Sequence, residues 1–241
     1  MRTNSRISFD AGRQWEHFAE TDPYLYILTT MKRSDPQVFW ESGSQIVQKE
    51  LLPLVQECSV RRGIAFEIGA GIGRIALPLA KYFRETVGID IAAGMVKKAV
   101  TFARDNGIRN VSFYSVSGPE NVLQRAGNYA GACDLIYSLL VFQHIPSFSM
   151  IEGYLHVVRV LLHPRGLAYL QFDTRPTTVS YRIKTALPDF ILPRFWKRGI
   201  RRIRRSPQEI EVCFRRAGLD VVGELTPRTA YHRYILRVAA T

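Results

Sequence analysis

Three cysteines in 241 residues, Cys58, Cys133 and Cys213, form no CxxC pair and have no histidine at zinc spacing. That sets aside a disulfide framework and a structural zinc site. No uninterrupted apolar run reaches the ~20 residues that span a bilayer. The polar start Met1-Arg2-Thr3-Asn4-Ser5-Arg6 lacks the apolar stretch of a secretion signal. The expectation is a reduced, cytoplasmic chain without a structural metal. Internal repeats and low-complexity tracts are also absent. Acid is scarce, with 21 Asp and Glu against 33 Lys and Arg, a net charge of +12. The imbalance is local. Residues 174–205 hold ten basic side chains and one acid, Asp189, and so carry nine of the twelve excess charges. A pI for the whole chain therefore says little about partners. With 46% hydrophobic and 22% charged residues, the remainder is ordinary for a soluble core, in one α/β domain or one with an elaborated end.

Short apolar β-rich runs alternate with longer helical patterns, which predicts a mainly parallel sheet covered by helices. The strands fall at Ile64–Ile68, Thr86–Asp90, Val111–Ser115, Leu135–Leu139 and Gly166–Phe172. Helices fit at Gly73–Phe83, Ala92–Asn106, Glu120–Arg125 and Ser149–Leu162. A last helix opens at Ser206-Pro207-Gln208-Glu209, where Ser206 is a natural N-cap, Pro207 suits the first turn and Glu209 completes a capping box. It stops at Ala217-Gly218, and two strands follow at Leu219–Leu225 and Tyr231–Val238. Before this core, the first sixty or so residues read as helices anchored by Trp15, Phe18, Tyr24, Trp40 and Ile46.

Phe66-Glu67-Ile68-Gly69-Ala70-Gly71-Ile72-Gly73-Arg74 ends a strand and opens a helix. Glycines there allow a sharp turn and close approach of a ligand. The next strand, Val87-Gly88-Ile89-Asp90, ends in a carboxylate suited to the hydroxyls of an adenosine ribose. A dinucleotide site asks for G-x-G-x-x-G, and counting from Gly69 its last position is Arg74. The spacing is instead G-x-G-x-G with Glu67 two residues earlier, and a carboxylate beside the turn suits a cationic ligand better than a pyrophosphate.

These motifs resemble the class I S-adenosylmethionine-dependent methyltransferase superfamily. Glu67-x-Gly69-x-Gly71-x-Gly73 is similar to its first motif and Asp90 to its ribose-binding acid. Cys133-Asp134-Leu135-Ile136-Tyr137-Ser138-Leu139, with the turn through His144-Ile145, is similar to its fourth-strand motif; Leu161-Leu162-His163-Pro164-Arg165-Gly166-Leu167 resembles its approach to the fifth strand. The resemblance runs from about Ala65 to Val238. It implies an α/β, Rossmann-like, doubly wound, mainly parallel seven-stranded sheet, with residues 1–60 as an N-terminal helical lid and 61–241 as the methyltransferase domain. A cap insertion at 174–205 follows the fifth strand. The implied cofactor is S-adenosylmethionine, with S-adenosylhomocysteine as product. The implied cofactor contacts are Glu67 near the methionine ammonium, Gly69, Ala70, Gly71 and Gly73 at the turn, Asp90 on the ribose, Ile91 and Met95 flanking the adenine, and Leu139 after the fourth strand. Ser42-Gly43 resembles a loop that closes over the methionine end. The family's acid after the third strand is missing, and Val116-Ser117-Gly118 stands there, which leaves Ser117 or a backbone group at Gly118 for the adenine.

His144 has two readings, a general base or a packing and cofactor contact, the second favoured. His17, His156, His163 and His232 have no motif support, and Asp134, at the start of its strand, reads as structural. Because the sulfonium is a good leaving group, alignment of the nucleophile can supply most of the rate, so an enzyme needs no conspicuous catalytic residue. No Asp/Asn-Pro-Pro-Tyr/Phe run or Pro-Cys motif is present, which argues against DNA-base chemistry, and no carboxylate cluster suggests Mg²⁺.

Ligands of a doubly wound sheet bind beyond the C-terminal strand ends. The basic insertion starts at that edge, so Arg175, Tyr181 and Arg182 become candidate substrate contacts, together with Trp15 and Tyr24 from the lid. Within it, residues 194–205 suggest a helix with Phe195, Trp196, Gly199, Ile200 and Ile203 on one stripe and Arg/Lys around it. Such a helix could be a cap on the core, a membrane-surface element near a lipid-like acceptor, or a contact for an anionic substrate. Nucleic acid is disfavoured for want of a known binding module. The expected partner is a small-molecule acceptor with an oxygen or nitrogen nucleophile, anionic or lipid-like. The alternatives are a methyltransferase acting on nucleic acid or protein, a basic adaptor without turnover, and a nicotinamide-dependent reductase, against which Arg74 speaks.

Overall fold

The computed structural model describes residues 3–28, 31, 33–188, 190–192 and 200–240. Seven strands form one sheet in the order β3-β2-β1-β4-β5-β7-β6: β1 (Ile64–Ile68), β2 (Glu85–Asp90), β3 (Val111–Ser115), β4 (Cys133–Ser138), β5 (Leu162–Phe172), β6 (Leu219–Leu225) and β7 (His232–Val238). The first five run parallel, and β7 joins β5 antiparallel before pairing with β6. Strand β1 is buried along its whole length between two apolar layers, as expected for a strand covered on both faces. One layer gathers Phe66, Ile136, Phe142, Leu155, Phe172 and Phe214; the other gathers Val47, Leu51, Ile75, Leu79, Leu135 and Tyr169.

The helices are α1 (Thr3–Thr21), α2 (Pro23–Ile27), α3 (Pro36–Ile46), α4 (Leu52–Glu57), α5 (Ala76–Leu79), α6 (Ala93–Asp105), α7 (Pro119–Ala126), α8 (Phe148–Leu161), α9 (Val179–Ala186) and α10 (Pro207–Arg216). Most lie where periodicity predicts. At α10 the Ser206–Glu209 capping box is formed in both directions, and Gly218 takes the left-handed conformation after it. A single π turn at Val47–Leu51 joins α3 to α4 and brings Glu50 towards the sheet.

Three expectations need correction. The helix expected over Gly73–Phe83 is α-helical only at Ala76–Leu79. Gly73 has φ +86° and cannot start it, and Pro78 lacks the N–H that would bond the Arg74 carbonyl. Strand β5 begins at Leu162 rather than Gly166, because its first residue already pairs with Cys133. The helix expected over 194–205 lies partly outside the described residues (193–199), and 200–205 are not helical. There the chain is held extended: Ile203 N–H donates to the Gln143 carbonyl at 2.7 Å and Arg205 N–H to the Asp173 carbonyl at 3.0 Å. Backbone partners beside β5 win over an isolated helix.

The N-terminal helices are fastened to the core at two points. The Glu16 carboxylate accepts the Gly94 N–H, at 2.8 and 3.0 Å, where α6 begins, a favourable place for an acid. Phe18, Tyr26, Phe39 and Ile72 share an apolar cluster that also takes in Ile200, so the chain returning from the insertion packs on the same helices.

Candidate functional site

Beyond the C-terminal ends of β1, β2 and β4 lies a concave cleft with largely apolar walls, the character of a small-molecule site. Gly69, Gly71, Asp90, Ile91, Met95 and Leu139 line it, and Trp15 and His144 face it from α1 and from the turn after β4.

The glycine turn is closed on itself. Gly69 N–H and Ala70 N–H both donate to the Ile89 carbonyl (2.8 and 2.9 Å), Gly73 N–H to the Ala70 carbonyl (2.9 Å), and Gly71 N–H to Asp90 Oδ2 (2.8 Å). A pyrophosphate site depends on free N–H groups at such a turn, and these four are spent. Gly69, at φ +76°, could carry a side chain only with strain and an overlap with Val141. Asp90 is fixed through both oxygens, since Oδ1 accepts Ala92 N–H at 3.0 Å. Each carboxylate oxygen retains accepting capacity, on a side chain that faces the cleft. Burial raises the Asp90 pKa, and the N–H donors of Ala92, Gly71 and Ile91 pull it back.

Glu67 lines neither described cavity. It is buried behind the turn, where its Oε2 accepts the Tyr137 hydroxyl at 3.1 Å. Burial pushes its carboxyl up to about 8, against the pull of Arg74 and Tyr137. Gly43 is a packing glycine: a Cβ there would overlap the Arg74 carbonyl, so α3 lies directly on the turn. Ala70 and Gly73 are buried in the same turn, and Ser42 accepts a hydrogen bond from Arg74 Nη1 at 3.1 Å. After β3 the cleft is lined by Val116, while Ser117 is exposed and Gly118 begins α7.

His144 sits half-buried at the cleft wall, edge-on to Trp15 with 5.7 Å between ring centroids. Burial and the nearby Arg202 charge lower its pKa to about 4, so it is neutral at neutral pH. Gln143 Nε2 lies 3.2 Å from His144 Nε2; if the amide donates, the imidazole proton is on Nδ1, which has no protein partner. Leu140, next along the wall, has φ +65°, a conformation that costs a branched residue about 1 kcal/mol or more.

A second, more open hollow lies on the other side of Leu139 and Leu140, which line both spaces. Arg74, treated in the sequence only as a missing glycine, is buried at 3% exposure and lines it; Lys49, Glu50, Arg202 and Arg233 line it too, none of them fully buried. Nothing in a linear pattern marks these residues, because they come from α3's extension, the glycine turn, the returning insertion and β7. The other expected substrate contacts line neither described cavity. Arg175 is clamped on Asp173, Arg182 is exposed on α9, and Tyr24 packs edge-on against Phe39. Tyr181 acts indirectly, its hydroxyl donating to the Arg202 carbonyl at 3.1 Å and accepting Arg204 N–H at 3.2 Å. Among the described residues no group of three His, Cys, Asp or Glu converges to hold a metal, and no helix is long and apolar enough to cross a membrane.

Residues 66–168 match a family described as a methyltransferase domain. The chain is 31% identical over 108 residues to the 23S rRNA (uracil(1939)-C(5))-methyltransferase RlmD of Xanthomonas campestris, a match covering 42% of this chain and 23% of that protein. It therefore spans about a quarter of the length of that relative. The crystal structure of magnesium protoporphyrin IX methyltransferase from Synechocystis with bound SAH superposes with a TM-score of 0.63 at 18% identity, covering 94% of this chain and 97% of the other. A S-adenosylmethionine-dependent methyltransferase from Clostridium acetobutylicum gives 0.64 at 13% identity, covering 85% and 99%. At these identities the structures share the fold.

Proposed function

We propose that the chain, whose residues 66–168 match a methyltransferase-domain family and whose fold is shared with S-adenosylmethionine-dependent methyltransferases, is a class I enzyme of that kind that binds S-adenosylmethionine in the Asp90 cleft and methylates an oxygen or nitrogen of a small acceptor, anionic or lipid-like. The observation that carries this reading is the pairing of Asp90 with a turn in which the Gly69, Ala70, Gly71 and Gly73 amides are already satisfied. Such a site suits a ribose followed by an uncharged or cationic chain, and disfavours a pyrophosphate. Ile91, Met95 and Val116 offer an apolar slot for a flat base. When bound, the cofactor supplies an electrophilic methyl on a sulfonium that is its own leaving group.

The protein's share is then positioning and exclusion of water. Leu139, Leu140 and Val141 wall the cleft from β4, and Trp15 and Ile27 cover it from the N-terminal helices, which supports a lid role for those helices. Aligning a nucleophile with the methyl at the Leu139–Leu140 junction supplies rate through orientation. His144, neutral with a pKa of about 4, is a weak base and fits a wall contact better than a proton acceptor for an alcohol or phenol.

The test is calorimetric titration with S-adenosylhomocysteine and NAD, followed by transfer of labelled methyl into a fractionated cell extract. S-adenosylhomocysteine should bind, NAD should not, and label should enter the small-metabolite or lipid fraction. NAD binding alone overturns the cofactor reading. Label in RNA, as the rRNA-methyltransferase relatives suggest, overturns the small acceptor.

A further inference from the structure

The second hollow holds more positive charge than the fold requires. Four cationic side chains, Lys49, Arg74, Arg202 and Arg233, meet one carboxylate, Glu50. Only Arg233 is ion-paired with it: Nη2 donates to Glu50 Oε1 at 3.0 Å and Nε lies 3.0 Å from Oε2. Glu50 also accepts the Tyr169 hydroxyl at 3.0 Å, so its capacity is largely used. Arg202 has neutral partners, its Nη2 donating to the Tyr231 hydroxyl at 3.3 Å and its guanidinium lying 4.7 Å from that ring's centroid. Arg74 donates to Ser42 while its buried Nε has no hydrogen-bond partner, and Lys49 makes no ion pair among the described residues. Of the four, Arg74 is buried, Arg202 and Arg233 are half-buried and Lys49 is exposed at the rim, so the cationic side outnumbers the one lining carboxylate. An anion entering the hollow would balance that excess, and guanidinium forks suit carboxylate and phosphate geometry.

Placement argues for the acceptor rather than the cofactor as the source of that anion. Asp90 ends β2, whereas Arg233 lies on β7, four strand spacings across the sheet, roughly 19 Å. Arg202 comes from the returning insertion, held in place by Tyr181. Between them, Gln143 and Gln171 approach at 3.5 Å and join the His144 wall of the first cleft to the second hollow.

We propose that this hollow is an anion subsite in which Arg202 and Arg233, assisted by Lys49 and Arg74, hold a carboxylate or phosphate group of the acceptor while its nucleophilic atom reaches back past Leu139 and Leu140. The proposal rests on the methyltransferase reading and narrows its acceptor to anionic compounds.

The experiment is ligand-observed NMR on the full chain with benzoate, phenyl phosphate and neutral benzamide, each with and without saturating S-adenosylhomocysteine. An anionic probe should bind in the presence of S-adenosylhomocysteine, at least tenfold more tightly than benzamide. Arg202→Gln and Arg233→Gln should each weaken it at least tenfold and leave S-adenosylhomocysteine affinity within twofold. Because Arg233→Gln also frees Glu50, Arg202→Gln and Lys49→Gln serve as variants with no ion pair to lose. Competitive displacement of benzoate by S-adenosylhomocysteine would make the hollow a seat for the methionine carboxylate and overturn the proposal, as would equal binding of benzoate and benzamide. Anionic probes that bind a chain unable to bind S-adenosylhomocysteine would uphold the anion site and sink the methyltransferase reading instead.

Discussion

Asp90 Oδ2 accepts the Gly71 N–H at 2.8 Å, so the tip of the second strand and the turn after the first are held as one unit. One carboxylate thereby shapes the turn and faces the cleft. Replacing Asp90 with Ala is expected to weaken S-adenosylhomocysteine binding at least tenfold in calorimetry; an unchanged affinity would remove Asp90 from the cofactor site. Asp90→Asn should also lower stability, by about 1–3 kcal/mol, since an amide cannot accept both N–H groups.

At Gly43 the α3 backbone rests on the Arg74 carbonyl, and an added methyl has nowhere to go because the obstacle is backbone. Gly43→Ala should cost about 1–3 kcal/mol, read as a lower urea midpoint at an unchanged m-value. Full stability in that variant would mean that the helix and the turn are not in contact.

Glu67 makes stability depend on pH. Its folded pKa of about 8 lies above its ordinary 4.5, so between these values the folded state holds a proton that the unfolded state has released. The stabilisation is complete below about pH 4.5 and is lost as pH rises through 8. Denaturation midpoints of the wild-type chain should therefore fall from pH 5 to pH 8 more steeply than those of Glu67→Gln. Parallel pH profiles for the two proteins would show that Glu67 ionises normally.

For His144 the shift runs the other way, to about 4. The unfolded chain takes up the proton first, so this contribution to stability is full above about pH 6.5 and fades as pH falls through 4. NMR titration of the imidazole should show no inflection near 6.5, and a kcat/KM profile should carry no limb from this residue between pH 6 and 8. An inflection at 6.5 in either would restore His144 as a candidate base.

Much of the fold was legible because it follows from local rules. The capping box at Ser206 and Glu209, the Gly218 stop, and the short apolar β-rich runs of β2, β3 and β6 need only neighbouring residues. The glycine turn and Asp90 were legible for the same reason, since a strand, a turn and a strand-end acid occur in chain order. Arg205 was not. In sequence it is one more cation in a basic run, but it is buried, and its guanidinium donates to the carbonyls of Phe142 and Ile145. Those carbonyls become available only where the turn after β4 leaves the sheet.

The sequence by itself determined the order of strands and helices, the glycine turn and the strand-end acid, because hydrophobic periodicity, caps and glycine act within a few residues. Tertiary structure alone decided which charges gather around one hollow. Lys49, Arg74, Arg202 and Arg233 are separated by up to 184 positions and meet only because β7 inserts antiparallel beside β5 and the 200–205 segment returns over Gln143. Coulomb interactions and burial depend on distance in space, and no linear pattern encodes that distance.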